Sequence, residues 1–281
     1  MKTALIRSMR YLGIVPMIAL CFGLTAAPAN AQVSVGVSIS VGTPPPPLIV
    51  YQQPYVPGPD YIWTPGYWEW GDAGYFWVPG AWVLPPEPGL LWTPGYWDNE
   101  GDEYGWHPGY WANNVGYYGG INYGFGYFGN GYVGGRWQGG HFRYNTAVTR
   151  VNTQVVHNVY VDRQVVISTT KTNRVSYHGG KGGIAVPPPT SRSTMAASRR
   201  PMTETQRAHV TVAGGDRNQA AAVTHGHPKQ LAVAHPFNSH SRPTTYAPVR
   251  PQDRVAPSTR KAGTPSGKGG QARPSQESKK Q

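Results

Sequence analysis

A short motif, Trp-x-Pro-Gly-x-Trp, occurs four times in the sequence and constrains the possible fold more than any other feature. The copies begin at Trp63, Trp77, Trp92 and Trp106, so consecutive copies start 14 or 15 residues apart. Proline fixes φ at about −65° and glycine accepts the positive φ that follows, so Pro-Gly suits the two central positions of a type II turn. The pattern therefore predicts that the chain reverses direction at each Pro-Gly.

The tryptophans of the four copies are the candidate binding or core residues. If each Pro-Gly is the tip of a hairpin, the two tryptophans of one copy, such as Trp63 and Trp68, face one another on adjacent strands. Paired indoles can form the core of a thin sheet, or their exposed faces can stack against sugar rings, and both alternatives are open at this point. The candidates are Trp63, Trp68, Trp77, Trp82, Trp92, Trp97, Trp106 and Trp111.

The segments between the copies are rich in turn-forming residues. They read GDAG, PPEPG and DNEGDEYG, and each can return the chain for the next strand. Residues 59–115 are therefore predicted to form an antiparallel meander of very short strands, and the fold class is predicted to be mainly β.

Three further segments flank these repeats. Residues 32–58 begin with Val or Ile alternating with Ser or Gly, which predicts a strand, and continue as a proline-rich extended linker. Residues 116–142 are a tract of glycine and aromatic residues that ends in RWQGGHF, a degenerate fifth copy with Trp137 and Phe142 in the tryptophan positions. Residues 143–186 are rich in Val, Thr and Asn, which predicts further strands.

The last segment, residues 187–281, has the composition of a disordered chain. It contains 15 Lys and Arg, four acids and 12 prolines. Its only leucine, isoleucine or aromatic residues are Leu231, Phe237 and Tyr246. So little apolar surface cannot offset the conformational entropy of the chain, and we predict a disordered basic tail.

The N-terminus has the three parts of a secretory signal peptide. Lys2, Arg7 and Arg10 are followed by the apolar run YLGIVPMIALCFGL and by ANA, which suits a cleavage site. The apolar run is too short for a membrane-spanning helix and contains Pro16. We expect residues 1–31 to be removed, no transmembrane segment in the mature chain, and a location in the periplasm, at the cell surface or outside the cell.

Cysteine usage excludes several classes of protein. Cys21 is the only cysteine and lies inside the predicted signal peptide. The mature chain is therefore predicted to be neither a disulfide scaffold, nor a thiol enzyme, nor a metal protein with cysteine ligands.

Charge is divided between the two halves of the chain. Residues 32–135 contain eight acids and no lysine or arginine, whereas residues 136–281 contain 22 Lys and Arg and five acids. A basic balance favours an anionic partner, and export favours polymers of the cell envelope over nucleic acid. A tail that only solubilises the protein, or that folds back on the acidic repeats, is equally compatible with this composition.

The residues do not form a recognisable catalytic motif. Glu69 and Glu87 could form a glycosidase pair, but both fall in predicted turns with no cleft implied. His157, Asp162 and Ser168 lie near one another in sequence but lack a nucleophile motif. We therefore predict that the protein is not an enzyme.

Metal and cofactor motifs are equally weak. The literal G-x-G-x-x-G at Gly124, Gly126 and Gly129 lacks the preceding strand and following helix of a dinucleotide site. The DNEGDE segment lacks the ligand spacing of a calcium loop. His225 and His227 lie in the predicted tail, where a metal ion would bind weakly. No metal and no cofactor is predicted.

Several long motifs resemble those of the exported bacterial proteins with WXXGXW (YXWGXW) repeats. They are PPPLIVYQQPYVPGPDYIWTPGYW, LLWTPGYW, YGGINYGFGYFGNGYVGGRWQGGHFRYN, VVHNVYVDR and NRVSYHGG, with a weaker AAVTHGHP. The resemblance implies an exported protein without an assigned activity, and it transfers no catalytic residue.

These observations predict an exported, non-catalytic structural or interaction protein of the cell envelope or surface. Its basic tail is expected to associate with anionic envelope polymers. The alternative is a glycan- or peptidoglycan-binding module that uses exposed tryptophan faces. The glycine and aromatic tract, together with short open strand edges, also favours self-association.

Overall fold

Short strands are the main regular secondary structure of the fold, as the repeat pattern predicts. The computed structural model describes residues 39–164, 174–188 and 199–237. The predicted signal peptide and most of the first predicted strand lie outside these ranges. The strands are β1 (Ser40–Val41), β2 (Ile62–Thr64), β3 (Tyr67–Gly71), β4 (Gly74–Val78), β5 (Gly80–Val83), β6 (Leu91–Thr93), β7 (Tyr96–Asn99), β8 (Tyr104–His107), β9 (Tyr110–Ala112), β10 (Asn122–Gly124), β11 (Tyr127–Phe128), β12 (Gly135–Gln138), β13 (His141–Asn145), β14 (Val159–Tyr160), β15 (Tyr177–His178) and β16 (Ala232–Val233), and the helices are α1 (Glu204–Gly214) and α2 (Ala221–Thr224).

The four copies of the motif form two antiparallel hairpins. The first hairpin covers residues 62–83, with β2 and β3 in one arm and β4 and β5 in the other. The second hairpin covers residues 91–112, with β6 and β7 facing β8 and β9. In each hairpin the two Pro-Gly pairs lie at the same level and divide the strand pairing into two short blocks. One hairpin therefore contains two copies of the motif.

The predicted position of the chain reversal is wrong. The first hairpin turns in the GDAG segment, so Trp63 does not face Trp68. Proline lacks the N–H that strand pairing needs, and because the prolines of both arms coincide, the arms lose pairing together instead of turning back. The glycines that follow these prolines are not among those with positive φ. The cross-strand pairs are Trp63–Trp82, Trp68–Trp77, Trp92–Trp111 and Trp97–Trp106.

The glycine of each Pro-Gly pair is required because an indole ring lies against it. A Cβ on Gly80 would lie 2.5 Å from Trp63 Cζ2, and a Cβ on Gly66 would overlap Trp77 Cζ2. Trp63 and Gly66 belong to the first copy, and Trp77 and Gly80 belong to the second. The glycine of each copy therefore lies against the first tryptophan of the other copy. The second hairpin contains the same reciprocal contact. This exchange explains why the copies work in pairs.

The predicted proline-rich linker is part of the core. Residues 43–58 have no regular secondary structure, but they lie along the first hairpin and bury Leu48, Tyr51 and Val56. Two indole N–H groups of that hairpin donate to backbone carbonyl oxygens of this segment, at 3.1 and 3.0 Å. The segment is extended, as predicted, but it does not separate two units.

The degenerate fifth copy forms a hairpin of its own, the fifth-copy hairpin. β12 and β13 pair around Gly139 and Gly140, which both have positive φ, and Trp137 lies opposite Phe142. The centroids of these two rings are 5.5 Å apart. Here the turn does fall between the two aromatic positions, because Gly-Gly suits a two-residue hairpin turn with positive φ at both central residues.

Tyrosines of the glycine and aromatic tract connect the two hairpins. Tyr127 Oη lies 3.2 Å from the carbonyl oxygen of Trp63 and 2.9 Å from that of Trp92, one in each hairpin. Tyr123 Oη donates to the carbonyl oxygen of Gly95 at 2.6 Å. The tract therefore supplies hydrogen bonds to backbone carbonyl oxygens of both hairpins.

The predicted strand region at 143–186 contains less strand than its composition indicates. After the end of β13, its described residues form β14 and β15, which are two residues long and pair in parallel with β13 and β7. Residues 165–173 lie outside the described part. β-branched side chains raise strand propensity, but a strand also needs a partner edge, and the edges available here are short.

The prediction of a disordered tail from residue 187 onward is wrong for residues 199–237. α1 begins with a capping box formed by Thr203 and Gln206, and β16 extends the pairing of β5 in parallel. Neither described helix is long and apolar enough to cross a membrane. Residues 189–198 and 238–281 lie outside the described part, so the prediction stays a prediction there.

Buried polar side chains explain this difference. Gln206, His209 and Gln219 are each at most 6% exposed and form hydrogen bonds with the repeats. A count of apolar residues misses such anchors, because buried amide and imidazole groups stabilise a segment once their hydrogen bonds are satisfied.

Candidate functional site

The eight candidate tryptophans lie in the core. Each is at most 8% exposed, and the ring centroids of the cross-strand pairs are 5.1 to 5.3 Å apart. Stacking against a sugar requires an open indole face, and these residues do not offer one. The structure therefore uses them for packing, and a glycan site built on their exposed faces has no basis in this fold.

Several of the buried indoles depend on other segments for a hydrogen-bond acceptor. Trp77 Nε1 donates to the carbonyl oxygen of Leu231 at 3.1 Å, and Trp111 Nε1 donates to Gln206 Oε1 at 2.7 Å. Both acceptors belong to residues 199–237. This segment therefore completes the hydrogen bonding of the repeats.

Glu69 is a buried carboxyl group within the first hairpin. It is 8% exposed, and burial raises the pKa of its carboxyl to about 7. The backbone N–H of Trp70 lies 3.4 Å from Oε1, and the Tyr67 hydroxyl lies near the carboxyl without standard hydrogen-bond geometry. Among the described residues, no lysine or arginine forms an ion pair with Glu69.

Glu69 lines a cavity of about 460 Å³ between the turn of the first hairpin and α1, with Trp70 and Phe76 among the other lining residues. Glu87, considered above as its partner in a glycosidase pair, does not line this cavity. It pairs at the surface with Arg200, at 3.4 Å. The two carboxyl groups therefore do not share a cleft.

The other residues considered for catalysis are not assembled into a site. The backbone N–H of Asp162 donates to Asn145 Oδ1 at 2.9 Å, and the structure gives no hydrogen bond between Asp162 and His157. Ser168 lies outside the described residues. Within residues 39–164, 174–188 and 199–237, no three His, Cys, Asp or Glu side chains are grouped to hold a metal ion.

A charged surface that the sequence reasoning missed lies on the fifth-copy hairpin. Arg136 and Arg143 are direct cross-strand partners, and Gln138 and His141 form the pair two residues along on the same side. This side is opposite the core-facing ring pair, and Tyr160 of β14 adjoins it. We call these five residues the arginine face. The palindrome-like RWQGGHFR, with arginine at both ends of a Gly-Gly turn, was the sequence pattern that could have revealed it.

The two arginines are positioned by neutral groups. Arg143 donates to Gln138 Oε1 and to the carbonyl oxygen of Val159, both at 3.0 Å. The Arg136 guanidinium carbon lies 4.6 Å from the centroid of the Tyr160 ring. In the described part of the chain neither arginine forms an ion pair with a carboxylate. Their positive charge is therefore held in place but not neutralised by an adjacent acid.

Most other lysines and arginines of the basic half are likewise not neutralised by an adjacent acid. Between residues 136 and 237 the structure describes 11 Lys and Arg, and within the described part only Arg200 and Arg207 form ion pairs with carboxylates. The Arg200–Glu87 pair is the one of these two that reaches the acidic repeats. Residues 199–237 thus pack on the repeats mainly through neutral hydrogen bonds, and charge neutralisation does not explain why they fold back.

Comparison with known proteins identifies the repeat. The family model of the WXXGXW repeat matches residues 58–83 and 88–112, in two copies. Searches of curated proteins and of solved structures gave no match. Each matched stretch contains one complete hairpin of the structure. The protein therefore carries two WXXGXW repeats, and each repeat is one hairpin built from two Trp-x-Pro-Gly-x-Trp copies.

Proposed function

We propose that this protein is an exported, non-catalytic structural or interaction protein of the cell envelope, and that the positive charges of its C-terminal half hold anionic envelope polymers. The observation that carries this proposal is the uncompensated charge described above. Cations that have no carboxylate partner within the protein can replace the small counterions of a polyanion, and the release of those counterions drives binding.

The repeats support a structural role. Their tryptophans fill the core, and their acids are distributed over turns and the surface, with Glu69 as the buried exception. A fold whose tryptophans are buried in a close-packed core is rigid, and a rigid fold is suited to present its other surfaces to a partner. Export is supported by the signal-peptide pattern of residues 1–31, which lie outside the described part of the structure.

Residues 238–281 extend the positive charge beyond the described fold. They contain nine Lys and Arg and two acids. We propose that this segment and the cations of the folded part act on the same polyanion, which increases the total number of contacts and with it the salt dependence of binding.

Association of the full-length protein with isolated cell envelopes tests the proposal. We expect association to fall steeply between about 50 and 200 mM salt, because each released counterion adds to the salt dependence. A full-length variant with the nine Lys and Arg of residues 238–281 changed to Gln should bind more weakly and with a shallower salt dependence. The matched control changes nine Ser, Thr or Gln residues of the same segment to Ala.

Two results would contradict the proposal. The first is association that is the same at both salt concentrations and in both variants, because the contacts would then not be ionic. The second is turnover of an envelope substrate that disappears when Glu69 is changed to Gln, because the protein would then be an enzyme.

A further inference from the structure

We infer that the arginine face is a folded binding site for a polysaccharide that carries carboxylate groups, with Arg136 and Arg143 each contacting a carboxylate. The inference deepens the proposed function and rests on it for the class of partner. The proposed function relies on positive charge spread over the C-terminal half, whereas this inference places specific recognition on the fifth-copy hairpin.

The register of the hairpin brings two positive charges together. Arg136 lies directly opposite Arg143 on adjacent antiparallel strands. Cβ atoms of such partners are about 5 Å apart, and like charges at that separation destabilise a sheet. A hairpin gains nothing in stability from this pair. An anion bound between or above the two guanidinium groups would remove the repulsion, so the pair is explained by anion binding.

Both guanidinium groups are oriented before any ligand arrives. Arg143 is held by an amide oxygen and a backbone carbonyl, which fix its plane without cancelling its charge. Arg136 lies over the ring of Tyr160, and its N–H groups form no hydrogen bond among the described residues. Preorganised groups lose less entropy on binding, so such a pair favours a defined anion over diffuse attraction.

Two acidic side chains, Asp60 and Asp162, lie at the edges of the arginine face. Asp60 accepts a hydrogen bond from the backbone N–H of Phe142 at 2.7 Å and lies 3.5 Å from His141 Nδ1, at the turn end of the hairpin. Asp162 lies near Tyr160 at the opposite edge. Neither carboxylate is within ion-pair distance of Arg136 or Arg143 in the described structure. The acids therefore border the face and leave its centre positive.

The chemistry of the face favours carboxylates on a sugar polymer. A planar guanidinium fork matches one carboxylate through two parallel hydrogen bonds. The face is a sheet surface, and two of its other side chains, Gln138 and Tyr160, carry the amide and hydroxyl groups that pair with sugar hydroxyls. An extended chain with one carboxylate on each sugar can lie across the strands and place successive carboxylates near the two arginines.

Binding of the full-length protein to polygalacturonate tests the inference, with neutral dextran as the uncharged probe. We expect Arg136→Gln to lower affinity for polygalacturonate about tenfold, as loss of a charge-assisted hydrogen bond does. Arg136→Lys should restore only part of the affinity, because lysine keeps the charge but lacks the fork. The matched control is Arg217→Gln, which removes the same charge from an exposed position on a different part of the fold.

Arg136 is the residue to change because its guanidinium makes no hydrogen bond in the described structure, so the variant should fold like the parent. The unfolding temperature of each variant checks this. Equal affinities for Arg136→Gln and Arg217→Gln would overturn the inference. So would complete rescue by Arg136→Lys, or binding of polyphosphate that depends on Arg136 more strongly than binding of polygalacturonate does.

The variant with nine Gln substitutions in residues 238–281 separates this inference from the proposed function. If it keeps the Arg136-dependent part of polygalacturonate binding, the folded site exists independently of that segment. If it loses all binding while Arg136→Gln loses none, the proposed function stands and the arginine face is not the site.

Discussion

Gly66 shows what the glycine of the repeat motif does. A turn would need it for positive φ, but its backbone is ordinary, and the residue is required because there is no room for a side chain. A Cβ at this position would meet Trp77 Cζ2 and would lie 2.9 Å from the backbone nitrogen of Gly80. Both neighbours are part of a close-packed core, which cannot move aside without loss of packing.

Gly66→Ala is therefore expected to lower the free energy of unfolding by about 1–3 kcal/mol, the usual cost of overpacking. Thermal unfolding followed by circular dichroism should show a decrease of about 2–4 °C per kcal/mol for a fold of this size. Gly42→Ala is the control, because a Cβ at Gly42 meets nothing within 4 Å and its φ is also ordinary. If the two variants had the same stability, the indole contact would not be the reason for the glycine.

At the scale of elements, α1 is the part of the fold that composition failed to predict. His209 on this helix is 5% exposed, and both of its ring nitrogens are used. Nε2 donates to the carbonyl oxygen of Pro79 at 2.8 Å, and Nδ1 accepts the N–H of Phe237 at 2.9 Å. This arrangement stabilises the neutral form of the imidazole, because a proton on Nδ1 would point at the N–H group of Phe237. One side chain thereby ties α1 to the first hairpin and to the end of the described segment.

His209 is expected to make the fold less stable in acid. Burial lowers the pKa of His209 from 6.5 to about 4. Between these values the unfolded chain binds a proton that the folded chain does not, so stability is lost as the pH falls from about 6.5 to 4. The loss amounts to roughly 3 kcal/mol at most. Urea unfolding of the parent and of His209→Gln at pH 7 and pH 4 measures it, with a smaller decrease expected for the variant.

The comparison needs both proteins because Glu69 acts in the opposite direction. Burial raises the pKa of Glu69 from 4.5 to about 7, so its contribution to stability is present below pH 4.5 and is lost as the pH rises towards 7. This effect is the same in the parent and in the His209 variant, and it cancels in their difference. An equal decrease in both proteins would show that His209 does not titrate as described.

At the scale of the whole molecule, the hydroxyl of Tyr127 links the two repeats. Its oxygen lies within hydrogen-bonding distance of a carbonyl oxygen in each hairpin, and the tyrosine itself is fully buried. The two WXXGXW repeats are therefore joined through a residue that neither of them contains. The glycine and aromatic tract is part of the same folded unit as the repeats.

Tyr127→Phe should leave the carbonyl oxygens of Trp63 and Trp92 without this donor and lower the free energy of unfolding by about 1–3 kcal/mol. Tyr55→Phe is the matched control, because Tyr55 is 51% exposed and its contact with Arg150 involves the ring. Differential scanning calorimetry gives both values. A single transition with equal midpoints for the two variants would rule out a connecting role for the Tyr127 hydroxyl.

Much of the local architecture could be predicted from particular residues. The spacing of the tryptophans predicted short antiparallel strands with indoles facing across them, and RWQGGHF predicted a fifth aromatic pair at Trp137 and Phe142, which is confirmed. The residues after the predicted signal peptide contain no cysteine, which excluded a disulfide scaffold and left the paired indoles as a candidate core. Each of these features depends on neighbours within a few residues, so a linear pattern is enough to reveal it.

The choice of partners was decided by the tertiary structure. Trp63 pairs with Trp82 and not with Trp68, because the prolines of both arms interrupt the pairing at one level and each indole fills the space above a glycine of the other copy. Residues 199–237 fold because Gln206 and His209 find acceptors and donors that are distant in sequence. The sequence by itself determined that tryptophans would meet across short strands. Which tryptophans meet, and which polar residues anchor the basic segment, depends on contacts between distant positions, and those exist only once the chain has folded.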